Sequence, residues 1–411
     1  MSVLIGLAGV AAILALAAAL SVKRSAINLR VVASAFALQV AVAALALYVP
    51  AGRVAIGFLA GGVEALLGYA NAGIDMVFGP LASDEIGAVF AIRVLPVIVF
   101  FAALMGVLYH LGVMQRLVVG IGRGLQVVIG AKPLESFNAA ANIFVGQSEA
   151  PIVIKPYLDS LTRPQLFAIM VSGMASVSGT VLAAYAQLGI SIDYLLAASF
   201  MSAPGGLLMA KILMPDAADV DEPAQDIVSV KVPRGEHDNV ILAAAKGAQD
   251  GVMLAVNVAA MLIAFVSLIA LCNGVLGGLG GLVGFEDLTI QRILGYAFAP
   301  LMALLNVPWE EAQTAGAIFG EKLILNEFVA YVSLADIQAG ANPLSPKAAA
   351  VVTFALCGFA NLSSIAILLG GLGTLIPDRM PQIARFGLRA VAAGSLSNLM
   401  SAALAGLLVP V

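Results

Sequence analysis

Within the stretch Asn142–Pro151 (NIFVGQSEAP), an amide, a hydroxyl and a carboxylate stand side by side as Gln147, Ser148 and Glu149. Mostly apolar residues flank them, and Gly146 and Pro151 bracket them. Proline removes a backbone donor and clashes with a continuing helix. A carboxylate at bilayer depth costs roughly 2.5–3.5 kcal/mol, so one retained in apolar sequence points to a task. Three more polar islands share this character: Asn326 and Glu327, the run from Asn361 to Ser364, and the hydroxyl- and glycine-rich Ser172–Thr180. Glu149 and Glu327 raise the idea of paired acid–base catalysis. No nucleophile–base motif accompanies them, His110 and His237 stand apart, and Cys272 and Cys357 lie in apolar runs as packing residues. The set offers hydrogen-bonding capacity instead: amides that donate and accept, carboxylates that accept twice, hydroxyls that do either. That suits a neutral polyhydroxylated ligand with an amide-like ring, against which Phe359 can pack if it is not plain core.

These islands need elements to hold them. The chain has 411 residues, 61% hydrophobic and 11% charged, with a mean hydropathy of +1.04, which reads as an all-α polytopic membrane protein. Its 42 glycines suit close helix packing and interrupted helices. A span needs roughly 20 apolar residues. Ser2–Val22 and Val31–Val49 qualify, and the basic loop between them (Lys23, Arg24, Arg30) lacks the order of a cleaved signal peptide, placing that loop in the cytoplasm and the N-terminus outside. Residues 53–90 are too broken by glycine for a span and are expected as an external interfacial helix. Leu95–Val113 is a third span, and Met114–Gly130 an amphipathic interfacial segment.

Pro133–Ser160 holds the first island, with Lys132 before it and Arg163 after it. Equal flanks under the positive-inside rule imply a re-entrant hairpin with its tip near Gly146–Glu149, a plain spanning helix being the alternative. Pro164–Gly189 then crosses with Ser172–Thr180 at its middle, either locally unwound with carbonyls freed for a cation or with hydroxyls bonded back to their own helix. Asp193–Leu213 returns, Pro215–Asp250 is a charged cytoplasmic loop, and Gly251–Val283 crosses to Glu286 and Asp287 outside. The pattern then recurs: an interfacial Gln291–Leu305, an interrupted Pro308–Ala335, an interrupted Ala348–Leu375 and a final Phe386–Val409 ending outside. A broken hairpin followed by an unwound helix, twice and in opposite orientation, is the mark of an inverted-repeat secondary transporter. The units are accordingly 1–113 as N-terminal scaffold, 114–213 as first transport repeat, 214–250 as loop, 251–285 as scaffold helix and 286–411 as second repeat.

Gly146–Pro151 (GQSEAP) and Asn326–Tyr331 (NEFVAY) resemble the two signature motifs of the concentrative nucleoside transporter family. Pro308–Ala312, Ser202–Gly205 and Cys357–Ser364 resemble its other stretches, in the same order, over about residues 90–410. The three N-terminal hydrophobic segments fit its shorter bacterial form. The resemblance implies a homotrimer with eight transmembrane helices and two opposed re-entrant hairpins, an elevator-type transporter of nucleosides such as uridine in the bacterial inner membrane, with no enzymatic activity and no nucleic-acid partner. It implies that Gln147, Ser148 and Glu149 meet the nucleobase and its surroundings, with Val181 and Phe359 beside it. Glu327, Asn361 and Ser364 are then the ribose contacts. It maps a sodium site to the side chains of Asn142 and Ser176 and the carbonyls of Val145 and Val177.

Proton-coupled members also exist. An amide, a hydroxyl and freed carbonyls make a neutral oxygen cage with nothing to titrate, which favours co-transported sodium, while Glu149 and Glu327 keep the proton alternative open. A membrane-embedded hydrolase using the two glutamates would release free base, and a passive channel would not accumulate substrate.

Overall fold

In a bilayer a segment must satisfy its own backbone groups, and helix is the regular structure throughout the described residues of the computed structural model. Those residues are 2–82, 89–216, 238–282, 284 and 288–409. Helix α1 (Ser2–Ala19) and α2 (Leu29–Leu47) flank the basic turn. Arg24 folds back over the end of α1 and donates to the carbonyls of Ala18 and Ala19, both at 3.0 Å, closing two acceptors that a helix terminus leaves open. Asn28 caps α2 by accepting from the Arg30 amide at 3.1 Å. Helix α3 (Pro50–Phe78) is one unbroken element of 29 residues, so its glycines do not interrupt it as expected. Gly57, Gly61, Gly62, Gly68 and Gly73 fall on exposed turns, where a helix tolerates them at about 1 kcal/mol each, while buried Gly52 makes room for the Leu45 carbonyl. Short α4 (Phe90–Arg93) leads into α5 (Leu95–His110), and α6 (Val113–Ile129) follows. Its buried stripe of Met114, Val118, Gly122, Leu125 and Ile129 bears out the amphipathic reading.

The first repeat continues with α7 (Pro133–Ala141), a non-helical tip, and a 3₁₀ arm over Ala150–Ser160 that is kinked at Ile154. The two arms pack together, as a hairpin requires. Helix α8 (Arg163–Ala175) stops at Ser176, whose backbone is extended (φ −117°, ψ 168°). Ser178 then caps α9 (Gly179–Gln187), so the expected unwinding covers residues 176–178. Helix α10 (Ile192–Leu213) completes the unit.

Helix α11 (Val240–Gly281) runs for 42 residues, beginning earlier than expected; the last eleven residues of the stretch read as loop are its first turns. Asn239 caps it through the Leu242 amide at 2.8 Å. The acidic run Asp219–Asp226, with Lys231, Arg234, Glu236 and His237, lies outside the described residues, as do Glu286 and Asp287. The second repeat comprises α12 (Ile290–Leu304), α13 (Trp309–Ile324), α14 (Glu327–Ala339), α15 (Pro346–Leu356), α16 (Ser363–Gly370), α17 (Leu372–Leu375) and α18 (Met380–Leu408). Helices α12 and α13 meet at 118°. The corner is turned by Asn306 in the left-handed region (φ 69°), with its amide donating to the Gly406 carbonyl at 3.2 Å.

By length and composition alone, seven helices among the described residues could cross a membrane. That set includes α3 and omits α1, which is short, and α15–α17, which the second break divides. Helices α8, α10, α15 and α18 form a buried bundle, on which α1 and α2 pack through α10 and α18. Helix α11 packs along α5 almost backbone to backbone: a Cβ on Gly106 would stand 2.6 Å from the Ala243 carbonyl, and one on Gly251 2.7 Å from Val99 Cα. Such small-residue contacts are how helices associate where there is no water to expel. The opposite face of α11 is apolar and exposed, with Ile263 at 72% and Leu271 at 63%.

Candidate functional site

The first hairpin tip is shaped by backbone bonds from the Glu149 and Ala150 amides to the Gly146 carbonyl, both at 3.0 Å. That turn aims Gln147 and Ser148 away from the arm. It seats against α8 because Gly173 has no side chain: a Cβ there would stand 2.8 Å from Gln147 Cβ. The Gly179 amide donates to the Phe144 carbonyl at 2.9 Å, tying the tip to the first break. Lower on the arm, the buried Lys211 ammonium of α10 reaches Glu135 of α7 at 2.6 Å.

The second tip opens at Asn326, whose extended backbone and side-chain bond to the Val329 amide (2.9 Å) start α14. Glu327 is thereby the first residue of that helix, a position favourable to negative charge. Its carboxylate is held from two sides: the Tyr185 hydroxyl donates to Oε1 at 3.1 Å and the Asn361 amide donates to Oε2 at 2.9 Å. Asn361 Oδ1 accepts in turn from the Ser363 hydroxyl (2.7 Å) and the Ser364 amide (2.9 Å). Ser364 donates its own proton to the Phe359 carbonyl and accepts from the Gln147 side-chain amide at 3.2 Å. One chain of hydrogen bonds thus runs from Tyr185 through Glu327, Asn361 and Ser364 to Gln147, joining the two hairpins across the second break.

All eight residues expected to touch substrate (Gln147, Ser148, Glu149, Val181, Glu327, Phe359, Asn361 and Ser364) line a single cavity between the tips. Glu149 lies exposed at its rim, while Gln147, Val181, Glu327, Asn361 and Ser364 are buried. Leu254, Val258, Met261 and Leu262 of α11 form the facing wall. Sequence reasoning missed that wall, because its residues look like any lipid-facing stripe. It also missed Tyr185, which sits in an apolar run and stacks at 4.2 Å (ring centroids) on Tyr331.

The four residues mapped to sodium are also brought together. Asn142 and Ser176 share a partner: Asn142 Nδ2 donates to Ser172 Oγ at 3.2 Å, and Ser176 Oγ donates to the Ser172 carbonyl at 3.2 Å. Asn142 Oδ1 is buried and has no hydrogen-bond donor facing it, a cost that a cation would relieve. Val145 and Val177 are buried beside the Phe144–Gly179 link. The donors are all neutral oxygens, which suit a hard cation. Among the described residues no group of three or more His, Cys, Asp or Glu side chains is placed to hold a metal.

The two breaks are locked to each other. The Phe359 amide donates to the Ser176 carbonyl at 3.1 Å. Asn398 of α18 donates to the carbonyls of Ala175 (2.7 Å) and Cys357 (2.8 Å), one from each broken helix. The fully buried Lys322 ammonium donates to Asn398 Oδ1 and to the Ala355 carbonyl, each at 2.7 Å.

Residues 8–81 match a family described as Na+ dependent nucleoside transporter N-terminus, residues 91–191 one described as nucleoside recognition, and residues 194–406 one described as Na+ dependent nucleoside transporter C-terminus. The chain is 53% identical over 348 residues to the uncharacterized transporter YutK of Bacillus subtilis, covering 84% of this chain and 85% of that protein. It is 48% identical over 360 residues to the nucleoside permease NupC of Helicobacter pylori, covering 85% and 84%. Its fold is similar to that of CNTnw in an inward-facing substrate-bound state, with a TM-score of 0.94 at 50% identity over 99% of this chain and 98% of that one. A substituted CNTnw in an outward-facing state gives 0.96 at 50% identity, over 100% and 99%.

Proposed function

The chain belongs to the concentrative nucleoside transporter family, and from that premise we propose that it is a sodium-coupled symporter importing nucleosides such as uridine. Nucleoside transport is the activity of the family; the coupling ion, the substrate and the cycle are what is proposed here. The observation that carries the reading is the hydrogen-bonded chain from Tyr185 to Gln147, lining a cavity between two hairpin tips.

In this reading Glu327 is oriented before substrate arrives, both oxygens fixed, so its remaining lone pairs accept from two neighbouring ribose hydroxyls. Asn361 and Ser364 complete the sugar contacts. Gln147 and Ser148 donate and accept on the base edge, Glu149 meets its surroundings at the rim, and Val181 and Phe359 pack its faces. Sodium is taken by Asn142, Ser176 and the carbonyls of Val145 and Val177. It joins the first hairpin tip to the first break, so binding of the ion shapes the pocket for the nucleoside. Both broken helices and both hairpins then move as one body in a homotrimer of the bacterial inner membrane, an elevator that faces each side in turn, with both termini outside.

One positive charge entering against about 100 mV contributes ~2.3 kcal/mol. A tenfold sodium gradient adds about 1.4 kcal/mol, so accumulation reaches roughly 500-fold at the limit. The test is uridine uptake into proteoliposomes under an imposed sodium gradient or an imposed pH gradient. Uptake that ignores sodium and follows pH would transfer coupling to a proton, for which Glu149 and Glu327 on the cavity wall are the available carriers.

A further inference from the structure

Segments far apart in the chain meet at the end of the molecule that carries the basic loops, and there enclose a cavity of about 660 Å³. Lys23 comes from the turn after α1, Arg163 is the first residue of α8, Arg379 ends the 3₁₀ turn before α18, and Arg385 and Arg389 lie in the first three turns of α18. Among the described residues one carboxylate, Asp378, stands on its wall. Arg379 is committed to the fold, donating to Gln382 Oε1 at 3.0 Å and to the Leu161 carbonyl. Arg385 and Arg389, one helical turn apart, are exposed. They also border a second cavity, shared with the apolar Leu20, Leu388 and Ala392. Leu388 is 67% exposed. The positive-inside rule accounts for basic residues at this end of the helices. It does not account for five of them around one concavity, nor for an apolar groove leading away from two of them.

We propose that this cavity binds the phosphate of an anionic phospholipid headgroup, with Arg385 and Arg389 on the phosphate and an acyl chain along Leu20 and Leu388. Guanidinium forks match phosphate oxygens in pairs, and basic pockets between helices on the cytoplasmic side select anionic headgroups. The apolar groove is what distinguishes a lipid from free phosphate, since a soluble anion gains nothing from it. The cavity shares no lining residue with the one between the hairpin tips. A lipid seated there touches the α1–α2 turn and the starts of α8 and α18.

The test is native mass spectrometry of the full-length transporter with phosphatidylglycerol or phosphatidylcholine added in equal amounts. The wild-type protein is expected to retain phosphatidylglycerol about tenfold better than phosphatidylcholine. The Arg385→Gln/Arg389→Gln variant should lose that preference, and Arg385→Lys/Arg389→Lys should keep most of it. Equal retention of both lipids by the wild type, or an unchanged preference in the glutamine variant, overturns the proposal. A third arm adds inorganic phosphate or uridine monophosphate. If either raises the melting temperature of delipidated transporter while phosphatidylglycerol does not, the ligand is a soluble anion and the lipid assignment falls. The wild-type comparison stands whether or not the double variants fold.

Discussion

Glu327 is fixed by two donors before any ligand is present, and its substitutions separate holding the substrate from orienting the holder. Glu327→Gln removes the charged acceptor, a bond worth about 1.5–3 kcal/mol, and should weaken equilibrium uridine binding by roughly tenfold or more. Unchanged affinity in that variant would show that Glu327 does not hold the sugar. Tyr185→Phe leaves the carboxylate charged but loosens one side of it, so a smaller loss of about three- to tenfold is expected, measured by the same titration. The glutamate and its amide and hydroxyl neighbours were legible in the sequence because polar groups are rare in so apolar a chain. Tyr185 was not, since an aromatic in a transmembrane run is ordinarily packing, and only folding reveals that its hydroxyl ends on Glu327.

At the scale of elements, a broken helix frees carbonyls that lipid cannot satisfy, and the protein answers with side chains from other helices. Ala175 and Cys357 are served by Asn398, and Ala355 by the Lys322 ammonium. Asn398→Ala would orphan two carbonyls and one side of a buried cation together, at about 1–3 kcal/mol for each group. A drop of several degrees in melting temperature in detergent is the expected outcome, against a smaller one for Asn142→Ala, which deletes bonds to Ser172 Oγ and the Asn138 carbonyl but leaves both of those acceptors with another donor. Equal losses in the two variants would sink the idea that Asn398 is the brace. The breaks themselves were readable from Ser172–Thr180 and Cys357–Ser364, where glycine and hydroxyls interrupt the apolar run. The brace was not, because Asn398 comes from a helix remote in sequence. Nor was the true start of α11: its first turns carry Lys246 and Asp250, which pair at 3.6 Å on an exposed face but read in one dimension as part of a charged loop.

For the whole molecule, the repeat and its order were legible, since two amphipathic helices, two hairpins and two broken helices each leave their own punctuation. What could not be read was which surfaces meet. The wall that α11 sets across the cavity differs in no chemical respect from the apolar stripe it leaves exposed, and helix packing alone distinguishes them. In the proposed homotrimer that exposed stripe is where neighbouring subunits meet, so polar substitution at Ile263 should shift the detergent-purified protein towards monomer in size-exclusion light scattering. An unaltered trimer would move the interface elsewhere.

The hydrogen bond from Gln147 to Ser364 has a consequence for turnover. A carrier must come back after delivering its cargo, and on that leg nothing fills the pocket. Polar groups dragged bare past an apolar wall would make the homeward trip slow. Here much of the pocket's polar chemistry is already matched with itself, hairpin to hairpin, so the vacated carrier travels as a closed circuit. Ser364→Ala cuts that circuit, and the expected result is net uptake slowed more than exchange of labelled for unlabelled uridine, because exchange never requires the unladen return. Equal slowing of both would assign Ser364 to cargo handling alone.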